Sequence, residues 1–502
     1  MSGPLGIPLA LLTDSYKTCH PFLYPDAERM VAYGEFRCAF DQDPKDHRIV
    51  FYGIRHIIET IVARQWTEED VERADAFFHT HNAGHTAFPF PKDLFLKFVK
   101  ENQGHFPVRI EALPEGTICY PHTPVYQIST SGEYAQLATY LETILTMVWY
   151  PSTVATLSRR ARDLIEKAYK ATVDEKDYGS LESRLHDFGF RACTSVEQSV
   201  IGGAAHLLNF HGTDTLSAAY HVQFHLNEGR PIGTSIPATE HSVMMSYPTE
   251  REAILRVVEK FGTGAFACVL DSYDYARALS EVLPSIATEK LSKGGFMVMR
   301  PDSGDPVETV LMALRACEKV FGVDVNDKGY KVTRGCGVIQ GDGVTYQTLG
   351  RILDAVREAG FAANNVAFGM GGGLLQRVNR DTMSFATKLS QITHKDGTTR
   401  AMMKTPKSDT DKISLPGEFY VLRDTDERIV VYPKQSDETT PEGNLLRVVY
   451  DHGPQGQWDT FDVARARVAR EWARAPPLHH PVSDALKLKI ASVLEAQAQL
   501  RA

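Results

Sequence analysis

The sequence contains little cysteine, and none of it is arranged as a metal or disulfide framework. The 502 residues include seven cysteines, an odd number without a Cys-x-x-Cys pair. We therefore expect reduced thiols, as in a cytoplasmic protein, and no structural zinc. The opening stretch, "MSGPLGIPLALLTDSYK", has neither a basic segment before its apolar run nor a cleavage-site pattern, so no signal peptide is predicted.

Long hydrophobic runs and an excess of positive charge are also absent. The most apolar helix candidate, "YAQLATYLETILTMVWYP", is interrupted by Glu142 and is expected to end at Pro151, so it is too short and too polar to span a bilayer. The formal net charge of −9 argues against broad binding of nucleic acid or anionic membranes, while leaving room for a local basic pocket. We therefore predict no nucleic-acid or membrane partner.

The middle of the chain repeats a pattern of strand, turn and helix. Short apolar runs with β-branched residues suit strands buried on both faces of a parallel sheet, and the segments after them carry apolar residues at helical spacing. From Asp271 to Asp302 to Asp342 the repeat is about 30 to 40 residues long, the size of a βα unit. The pattern occurs in "AFACVLDSYDYARALSEVL", "GGFMVMRPDSGDPVETVLMALRACEKVF", "GCGVIQGDGVTYQTLGRILDAVREAG" and "NVAFGMGGGLLQRVNRD".

Such units predict an α/β barrel or an open doubly wound sheet, in which ligands bind at the carboxyl ends of the strands. Residues 156–384 are assigned to this α/β domain. Residues 1–155 and 385–502 are assigned to a second, smaller mixed α+β domain that is discontinuous in sequence. The candidate strand-end residues are Asp214, His241, Asp271, Arg300, Asp302, Asp342, Gly369 and the glycines 371–373.

Two histidine-containing stretches need separate interpretations. "HTHNAGH" contains His79, His81 and His85, but it is polar and lacks the helical, Glu-containing spacing of a zinc protease, so a solvated loop is predicted. "TSIPATEHSVMM" places Glu240 beside His241 in an otherwise apolar stretch. From the residues alone, two interpretations of His241 stay open. It is either a hydrogen-bonded structural histidine, which is the commoner case, or a functional histidine.

Three motifs at predicted strand ends suit a phosphate, a sugar and a planar group. "FGMGGGLLQ" supplies a glycine turn whose N–H groups can approach an anion, although it fits neither the Rossmann fingerprint nor a P-loop. In "MRPDSGDP", Arg300 and Asp302 share one face of the strand; Arg suits phosphate or an aromatic ring, and Asp suits ribose hydroxyls. "IQGDGV" repeats the theme with Asp342. Together they predict a phosphoribosyl substrate.

Nine motifs in the same order resemble the nicotinamide phosphoribosyltransferases, of the type II phosphoribosyltransferase family. The resemblance runs from Leu11 to about Leu415. It implies an irregular α/β barrel beside a smaller mixed domain, and a homodimer with active sites at the subunit interface. It also implies transfer of ribose 5-phosphate from phosphoribosyl pyrophosphate to the pyridine nitrogen of nicotinamide, in NAD salvage. The motifs are "LLTDSYK", "ETILTMVWYPSTVAT", "LHDFGFR", "GTDT", "PATEHS", "DSYD", "RPDSGDP", "VIQGDGV" and "AFGMGGGLLQ".

The resemblance also implies residue roles. In the family the histidine of "ATEHS" is phosphorylated by ATP, so His241 is assigned to catalysis together with Asp271 and Asp302, with Mg2+ and ATP as cofactors and no metal ligands assigned. The role of Glu240 stays open, and Lys407 and Lys412 are unassigned because their loop is shorter and less basic than in animal members. The implied pyridine contacts are Tyr16 of the partner subunit, Phe188, Arg191 and Asp214, and Asp14 is also assigned to substrate binding. The implied contacts of the ribose and ring are Arg300, Asp302 and Asp342. The resemblance further implies that the 5-phosphate is held by Gly371 and Gly372 and that the other phosphates are surrounded by Arg37, Arg380, Lys388 and Lys404.

Two alternatives remain open. Nicotinate phosphoribosyltransferase has the same fold and similar chemistry, but Asp214 argues against it, since a carboxylate accepts a carboxamide N–H and repels the carboxylate of nicotinate. A non-catalytic signalling protein is the other alternative, and the intact set of site residues argues against that.

Overall fold

The structure is a computed structural model that describes residues 3–404, 414–435 and 439–499. The chain forms two compact units, one made of residues 1–156 and 379–502 and the other of residues 157–378. Numbered in chain order, the strands are β1 (Ala27–Phe36), β2 (Ile49–Val50), β3 (Arg109–Ala112), β4 (Ile118–Cys119), β5 (Tyr126–Ser131), β6 (Leu185–Asp187), β7 (Ala265–Val269), β8 (Phe296–Arg300), β9 (Val323–Val325), β10 (Lys331–Thr333), β11 (Cys336–Gln340), β12 (Val366–Met370), β13 (Phe385–His394), β14 (Thr399–Ala401), β15 (Glu418–Arg423), β16 (Ile429–Lys434) and β17 (Arg447–Asp451).

The α-helices are interspersed with shorter 3-10 and π turns. No helix of the described residues is both long and apolar enough to cross a membrane. The helices are α1 (Ile54–Ile57), α2 (Glu68–His81), α3 (Lys92–Glu101), α4 (Glu142–Thr146), α5 (Trp149–Thr172), α6 (Val196–Leu207), α7 (Leu216–His221), α8 (His241–Met245), α9 (Glu250–Phe261), α10 (Tyr275–Arg277), α11 (Leu283–Ser285), α12 (Ala287–Lys293), α13 (Pro306–Phe321), α14 (Tyr346–Glu358), α15 (Gly372–Leu375), α16 (Phe461–Arg474) and α17 (Asp484–Gln499).

The first unit is built on a six-stranded antiparallel sheet in the order β14-β13-β1-β5-β3-β17. The long pairing of β1 with β13 sets Phe36 opposite Phe385 and Tyr33 opposite Lys388. It therefore brings the chain around residue 37 next to the segment around residues 383–388. After residue 385 the chain adds the antiparallel hairpin of β15 and β16 and then, after β17, the helices α16 and α17.

Aromatic side chains fill part of the core of this unit. The Trp66 ring lies 5.6 Å from that of Phe95 and 5.2 Å from that of Phe106, and Phe95 lies 5.1 Å from Tyr140, measured between ring centroids. Tilted and edge-on contacts at these distances stabilise aromatic pairs beyond the burial of their area.

Three expectations for this unit are wrong. His79 and His81 lie in the last turn of α2 rather than in a loop, because the helix begins at a Thr67 cap and continues to His81. Pro151 does not end a helix; it lies in the first turn of α5. The N–H groups of a first turn have no partner within the helix, so a proline there removes no helical hydrogen bond. This mixed unit is also the larger of the two, not the smaller.

The second unit is built on a parallel sheet in the order β6-β12-β11-β8-β7. Single parallel bridges continue it from Asp187 to Thr213, from Gly212 to Thr234 and from Ala238 to Ala267, which closes the ring from β6 back to β7. The fold class is thereby confirmed as an irregular α/β barrel beside a mixed unit.

Three of the four predicted strand–helix units have the predicted strand and a substantial helix, and one does not. α13 begins at an Asp305 cap and α14 at a Thr345 cap, and the segment after β7 is helical in short pieces from Tyr275. After β12, however, only the four-residue α15 forms. Two of its four residues are glycines, which are poor helix formers, so the amphipathic helix expected there is wrong.

Candidate functional site

The carboxyl ends of the barrel strands meet at one edge, because parallel strands all end on the same side of a sheet. Polar residues and glycines follow each of these ends. In order around the ring they are Asp187 after β6, Asp214 and His241 after the two bridged segments, Asp271 after β7, Arg300 and Asp302 at the end of β8, Asp342 after β11 and Gly371 after β12.

His241 forms a hydrogen-bonded network at this edge. Its Nε2 lies 3.0 Å from Asp271 Oδ1, and its Nδ1 lies 3.9 Å from Asp302 Oδ2. Asp271 Oδ2 accepts from the backbone N–H of Asp302 at 3.0 Å and from the Ser303 hydroxyl at 2.5 Å. The His241 side chain is 38% exposed, whereas that of Asp271 is 3% exposed. The imidazole therefore faces solvent on one side, which a buried structural histidine would not.

The hydrogen bonds to Asp271 decide its charge and the tautomer of His241. Burial raises the pKa of Asp271, but hydrogen bonds from Ser303, His241 and the backbone of Asp302 outweigh it, so that the pKa lies below its ordinary value. An ionised carboxylate only accepts hydrogen bonds, so His241 Nε2 must donate. In the neutral imidazole the lone pair is then on Nδ1, the nitrogen that faces Asp302.

Glu240 lies outside this network. It is exposed, has an extended backbone, and caps α8, whose first residue is His241. Its carboxylate accepts a hydrogen bond from the hydroxyl of Ser242. The stretch 234–245 is mostly exposed, not core as its composition indicates.

A cavity of about 210 Å3 extends into the barrel from this edge. Phe188 and Arg300 line the cavity at this edge, and Arg300 Nη2 donates to Asp302 Oδ2 at 3.1 Å. A Cβ at position 369 would lie 2.1 Å from the Phe188 ring, so only glycine at this position allows the ring to occupy its place. A flat molecule with polar substituents suits such a cavity.

Asp214 lies in the wall of the same cavity. The carboxylate is exposed, and its Oδ1 accepts from the Ser235 hydroxyl at 2.6 Å. Behind it lies the fully buried Asp187, whose Oδ1 accepts from the backbone N–H of Gly189 at 2.7 Å. Burial raises the pKa of Asp187 to about 6, although the bond from Gly189 opposes the change.

The remaining residues of this edge are more open. Asp342 is exposed in the turn after β11, and Gly371 and Gly372 form the turn from β12 into α15, with a Cβ at 371 only 3.4 Å from the carbonyl oxygen of Phe188. Arg191 is exposed in the short 3-10 turn Phe190–Ala192 and pairs with no carboxylate of the described residues.

The other predicted residues lie together in the first unit. Lys388 is half-buried on β13; burial lowers its pKa, and Arg37 and Lys404 lower it further against the opposing effect of Glu142. Arg37 donates from Nε to the carbonyl oxygen of Ser384 at 3.0 Å. Within the part of the chain that the structure describes, no carboxylate forms an ion pair with Arg37, Arg380, Lys388 or Lys404.

Tyr16 and Asp14 lie next to these cations. Tyr16 is 52% exposed in the 3-10 turn Ser15–Thr18. Burial, with Glu142 and Asp14 nearby, raises its pKa, and Arg380 opposes the change. Asp14 Oδ2 accepts from the Thr143 hydroxyl at 2.9 Å. Lys407 and Lys412 lie outside the described residues.

Two serines in the barrel network are not singled out by the sequence analysis. Ser303 contacts Asp271, and Ser235 contacts Asp214. Ser303 lies in "MRPDSGDP" and Ser235 in "TSIPATEHSVMM", but a serine there also fits an ordinary turn residue. The sequence signal is only their position beside strand-end carboxylates.

Two family profiles match the sequence. The profile described as "Nicotinate phosphoribosyltransferase (NAPRTase) family" matches residues 183–453, and that described as "Nicotinamide phosphoribosyltransferase, N-terminal domain" matches residues 8–110. A protein of Xanthomonas campestris pv. campestris (strain 8004) named nicotinamide phosphoribosyltransferase is 40% identical over 425 residues, which cover 83% of this chain and 88% of that protein.

Two solved structures have a similar fold. Human nicotinic acid phosphoribosyltransferase gives a TM-score of 0.64 at 18% identity, covering 96% of this chain and 100% of that chain. Nicotinate-nucleotide pyrophosphorylase from Pyrococcus furiosus gives 0.61 at 16% identity, covering 96% and 99%. At these identities the likeness supports the fold alone.

The raised pKa of Asp187 predicts a pH-dependent loss of stability. Between about pH 4 and pH 6 the folded protein keeps a proton that the unfolded chain has released, so this group lowers stability as the pH rises through that window. Asp187→Asn keeps the oxygen that accepts from Gly189 and cannot ionise. We expect the variant to be more stable than the wild type by about 2 to 3 kcal/mol at pH 7, and to lose that advantage near pH 4.

Urea unfolding of both proteins at the two pH values measures this difference. Asp354→Asn, which changes an exposed carboxylate on α14, is the matched control and should leave the difference near zero. An Asp187→Asn advantage that is the same at pH 4 and pH 7 would contradict the assignment.

Proposed function

Because the chain belongs to the nicotinate phosphoribosyltransferase family, we propose that it transfers the phosphoribosyl group of phosphoribosyl pyrophosphate to the ring nitrogen of nicotinamide and so contributes to NAD biosynthesis. This membership confirms the family and the enzyme class predicted from the sequence. The observation that carries the choice of nicotinamide is the exposed carboxylate of Asp214 in the wall of the cavity beside Phe188.

In this proposal the cavity binds the pyridine ring. Phe188 stacks on one face and Tyr16 of the partner subunit on the other, while Arg191 and Asp214 contact the ring and its carboxamide. The Asp214 carboxylate accepts from the carboxamide N–H, and Ser235 fixes its orientation at 2.6 Å. Nicotinate would bring a second negative charge to the same place, which costs binding free energy.

The phosphoribosyl pyrophosphate would bind along the strand ends and the cation cluster. Arg300, Asp302 and Asp342 hold the ribose and ring. The backbone N–H groups of Gly371 and Gly372 hold the 5-phosphate. The pyrophosphate and the nucleotide phosphates lie among Arg37, Arg380, Lys388 and Lys404, and the absence of ion pairs to these four cations within the described residues supports that role.

No general base is needed for this reaction. The pyridine nitrogen already carries the lone pair that attacks the anomeric carbon, so the barrier lies in the positive charge that develops on the ribose and in the departure of pyrophosphate. The negative charges of Asp302 and Asp342 stabilise the positive charge that develops on the ribose, and the cations stabilise the departing pyrophosphate. Holding the two substrates in the reactive orientation contributes about 7 to 11 kcal/mol.

Mg2+ fits this site as an ion carried by the substrate. Mg2+ is usually held by one or two carboxylates together with phosphate oxygens and water. The described residues contain no group of three or more acidic, histidine or cysteine side chains suited to a metal, but Asp302 and Asp342 offer carboxylates at the strand ends. Bound there, the ion would neutralise charge on the departing pyrophosphate.

ATP is proposed as the phosphoryl donor to His241. The Nδ1 lone pair attacks the γ-phosphorus, a P–N bond forms, and the bond to the β,γ-bridging oxygen breaks, so that ADP leaves with that electron pair. Asp271 keeps the proton on Nε2 and stabilises the positive charge that the ring gains. Hydrolysis of the phosphohistidine would then drive the transfer toward product.

A homodimer is proposed as the working form. Leu216, Tyr220 and Phe224 are spaced four residues apart along α7 and the π turn Val222–Leu226, and they are 76%, 60% and 52% exposed. An apolar row of this kind on a water-soluble surface marks an interface with another protein chain. A second copy of the chain is the partner that the shared site requires.

Asp214→Asn should weaken the choice between the two pyridines. The variant keeps the shape of the side chain but loses the charge that repels nicotinate, so the ratio of kcat/KM for nicotinamide to that for nicotinate should fall by about tenfold or more. The measurement is product formation from each pyridine with phosphoribosyl pyrophosphate, using Asp354→Asn as the control. A wild type that prefers nicotinate, or an unchanged ratio, would refute the role of Asp214.

Mixed dimers test the shared site. A Tyr16→Ala chain loses one stacking contact with the pyridine ring, and by analogy with base–aromatic stacking this contact contributes about 1 to 3 kcal/mol to binding. An Asp302→Ala chain loses a carboxylate that contacts the ribose. Each homodimer should be weakly active, while co-expressed and separately tagged heterodimers should regain part of the wild-type activity. Heterodimers with no more activity than the two homodimers would refute the shared site.

His241→Ala should abolish phosphorylation without unfolding the protein. The wild type should acquire an acid-labile, base-stable label from γ-labelled ATP, and the variant should lose both the label and the stimulation by ATP while retaining slow ATP-independent transfer. Since the imidazole is partly exposed, the melting temperature should change little. His79→Ala, an exposed histidine on α2, should label normally. A destabilised His241→Ala protein that still labels would refute the assignment.

A further inference from the structure

We propose that Ser303 is a positioning residue that holds Asp271, and through it His241, in the geometry that phosphoryl transfer from ATP requires. This inference rests on the phosphorylation proposed above and adds a residue to it. Its basis is a pair of hydrogen bonds to the same carboxylate, from the Ser303 hydroxyl to Asp271 Oδ2 at 2.5 Å and from His241 Nε2 to Asp271 Oδ1 at 3.0 Å.

The local backbone directs the Ser303 hydroxyl toward Asp271. Ser303 follows β8 and Asp271 follows β7, and these two strands are neighbours in the sheet. Gly304, at φ +89°, turns the chain just after Ser303, and Asp305 then caps α13 by accepting from the N–H groups of Val307 and Glu308. The serine is thus held between a strand end and an anchored helix start, although its side chain is exposed to water.

The Ser303 bond completes the set of donors around a buried charge. The Asp271 side chain is 3% exposed, and its two oxygens receive three hydrogen bonds, from His241, from the Asp302 backbone and from Ser303. A buried carboxylate that loses one of its donors is less stable as an anion and freer to rotate. Either change weakens the bond that keeps the His241 proton on Nε2.

The effect on His241 is specific to one nitrogen. With Nε2 committed to Asp271, the Nδ1 lone pair is the one available to attack phosphorus. If Asp271 rotates or accepts a proton, the other tautomer of His241 becomes accessible, and Nδ1 then carries a hydrogen in place of the lone pair. Ser303 therefore raises the fraction of enzyme molecules in which His241 Nδ1 carries the lone pair, and it does so without contacting the reacting atoms.

Two isosteric variants separate the hydroxyl from the shape of the side chain. Ser303→Thr keeps the hydroxyl and adds a methyl group, and Ser303→Val has the same shape as Thr without the hydroxyl. Ser292→Ala removes an exposed hydroxyl on α12 that bonds only to its own helix, and it should label at the wild-type rate. The initial rate of histidine labelling by γ-labelled ATP is measured without pyridine or phosphoribosyl pyrophosphate, so effects on the transfer reaction do not enter.

We expect Ser303→Val to label about ten- to a hundredfold more slowly than the wild type, as for the loss of one hydrogen bond to a charged group, and Ser303→Thr to restore most of the rate. If the valine variant is less stable, Ser303→Ala, which adds no atoms, is measured in its place.

The outcomes distinguish this inference from the phosphorylation itself. A wild type that does not label would overturn the phosphorylation and with it the role of Ser303. A labelling wild type with an equally fast Ser303→Val variant would overturn the role of Ser303 alone. A slow valine variant that Ser303→Thr fails to restore would show a merely structural effect and would also overturn it.

Discussion

Parallel pairing of β6, β12, β11, β8 and β7 is the constraint on which the candidate site depends. Because these strands end at one edge, residues far apart in sequence arrive there as neighbours, and a carboxylate from one strand must be satisfied by donors from the next. Asp271 after β7 meets Ser303 after β8 in this way. The single bridges at Thr234 and Ala238 matter equally, since they bring the stretch that contains His241 to the same edge.

The regular part of the fold could be predicted from the sequence, and the irregular part could not. Apolar runs identify β7, β8, β11 and β12, and helical spacing identifies α13 and α14, because each element follows one period over enough residues. The bridged segments near Gly212 and Thr234 pair through one residue each, which leaves no period to detect. The glycines of α15 and the proline in the first turn of α5 are compatible with what the structure shows, but such residues alone do not decide where a helix begins or ends.

The candidate site, too, could be predicted from the sequence only in part. Strand-end motifs predict which carboxylates and glycines reach the edge, but not which pairs bond, since Asp271 and Ser303 are 32 residues apart. The cations were assigned from the resemblance alone. Arg37 and Lys388 lie near each other only because β1 pairs with β13, a contact of long sequence separation that local pattern does not encode. The burial of Asp187 is likewise a tertiary property, which its local sequence does not show.

The carboxylates at the barrel edge and the phosphate-binding cations proposed in the first unit differ in how their charges are compensated. At the barrel edge Asp214, Asp271 and Asp302 each accept hydrogen bonds from neighbouring side chains, so these carboxylates are held in place before any substrate binds. In the first unit Arg37, Arg380, Lys388 and Lys404 lack carboxylate partners among the described residues. Burial, together with the neighbouring Arg37 and Lys404, lowers the pKa of Lys388. This mutual repulsion is an energy cost that the fold bears in the absence of an anion. In the proposed function a bound pyrophosphate would remove this cost, so part of the free energy of binding would come from relieved repulsion as well as from new contacts.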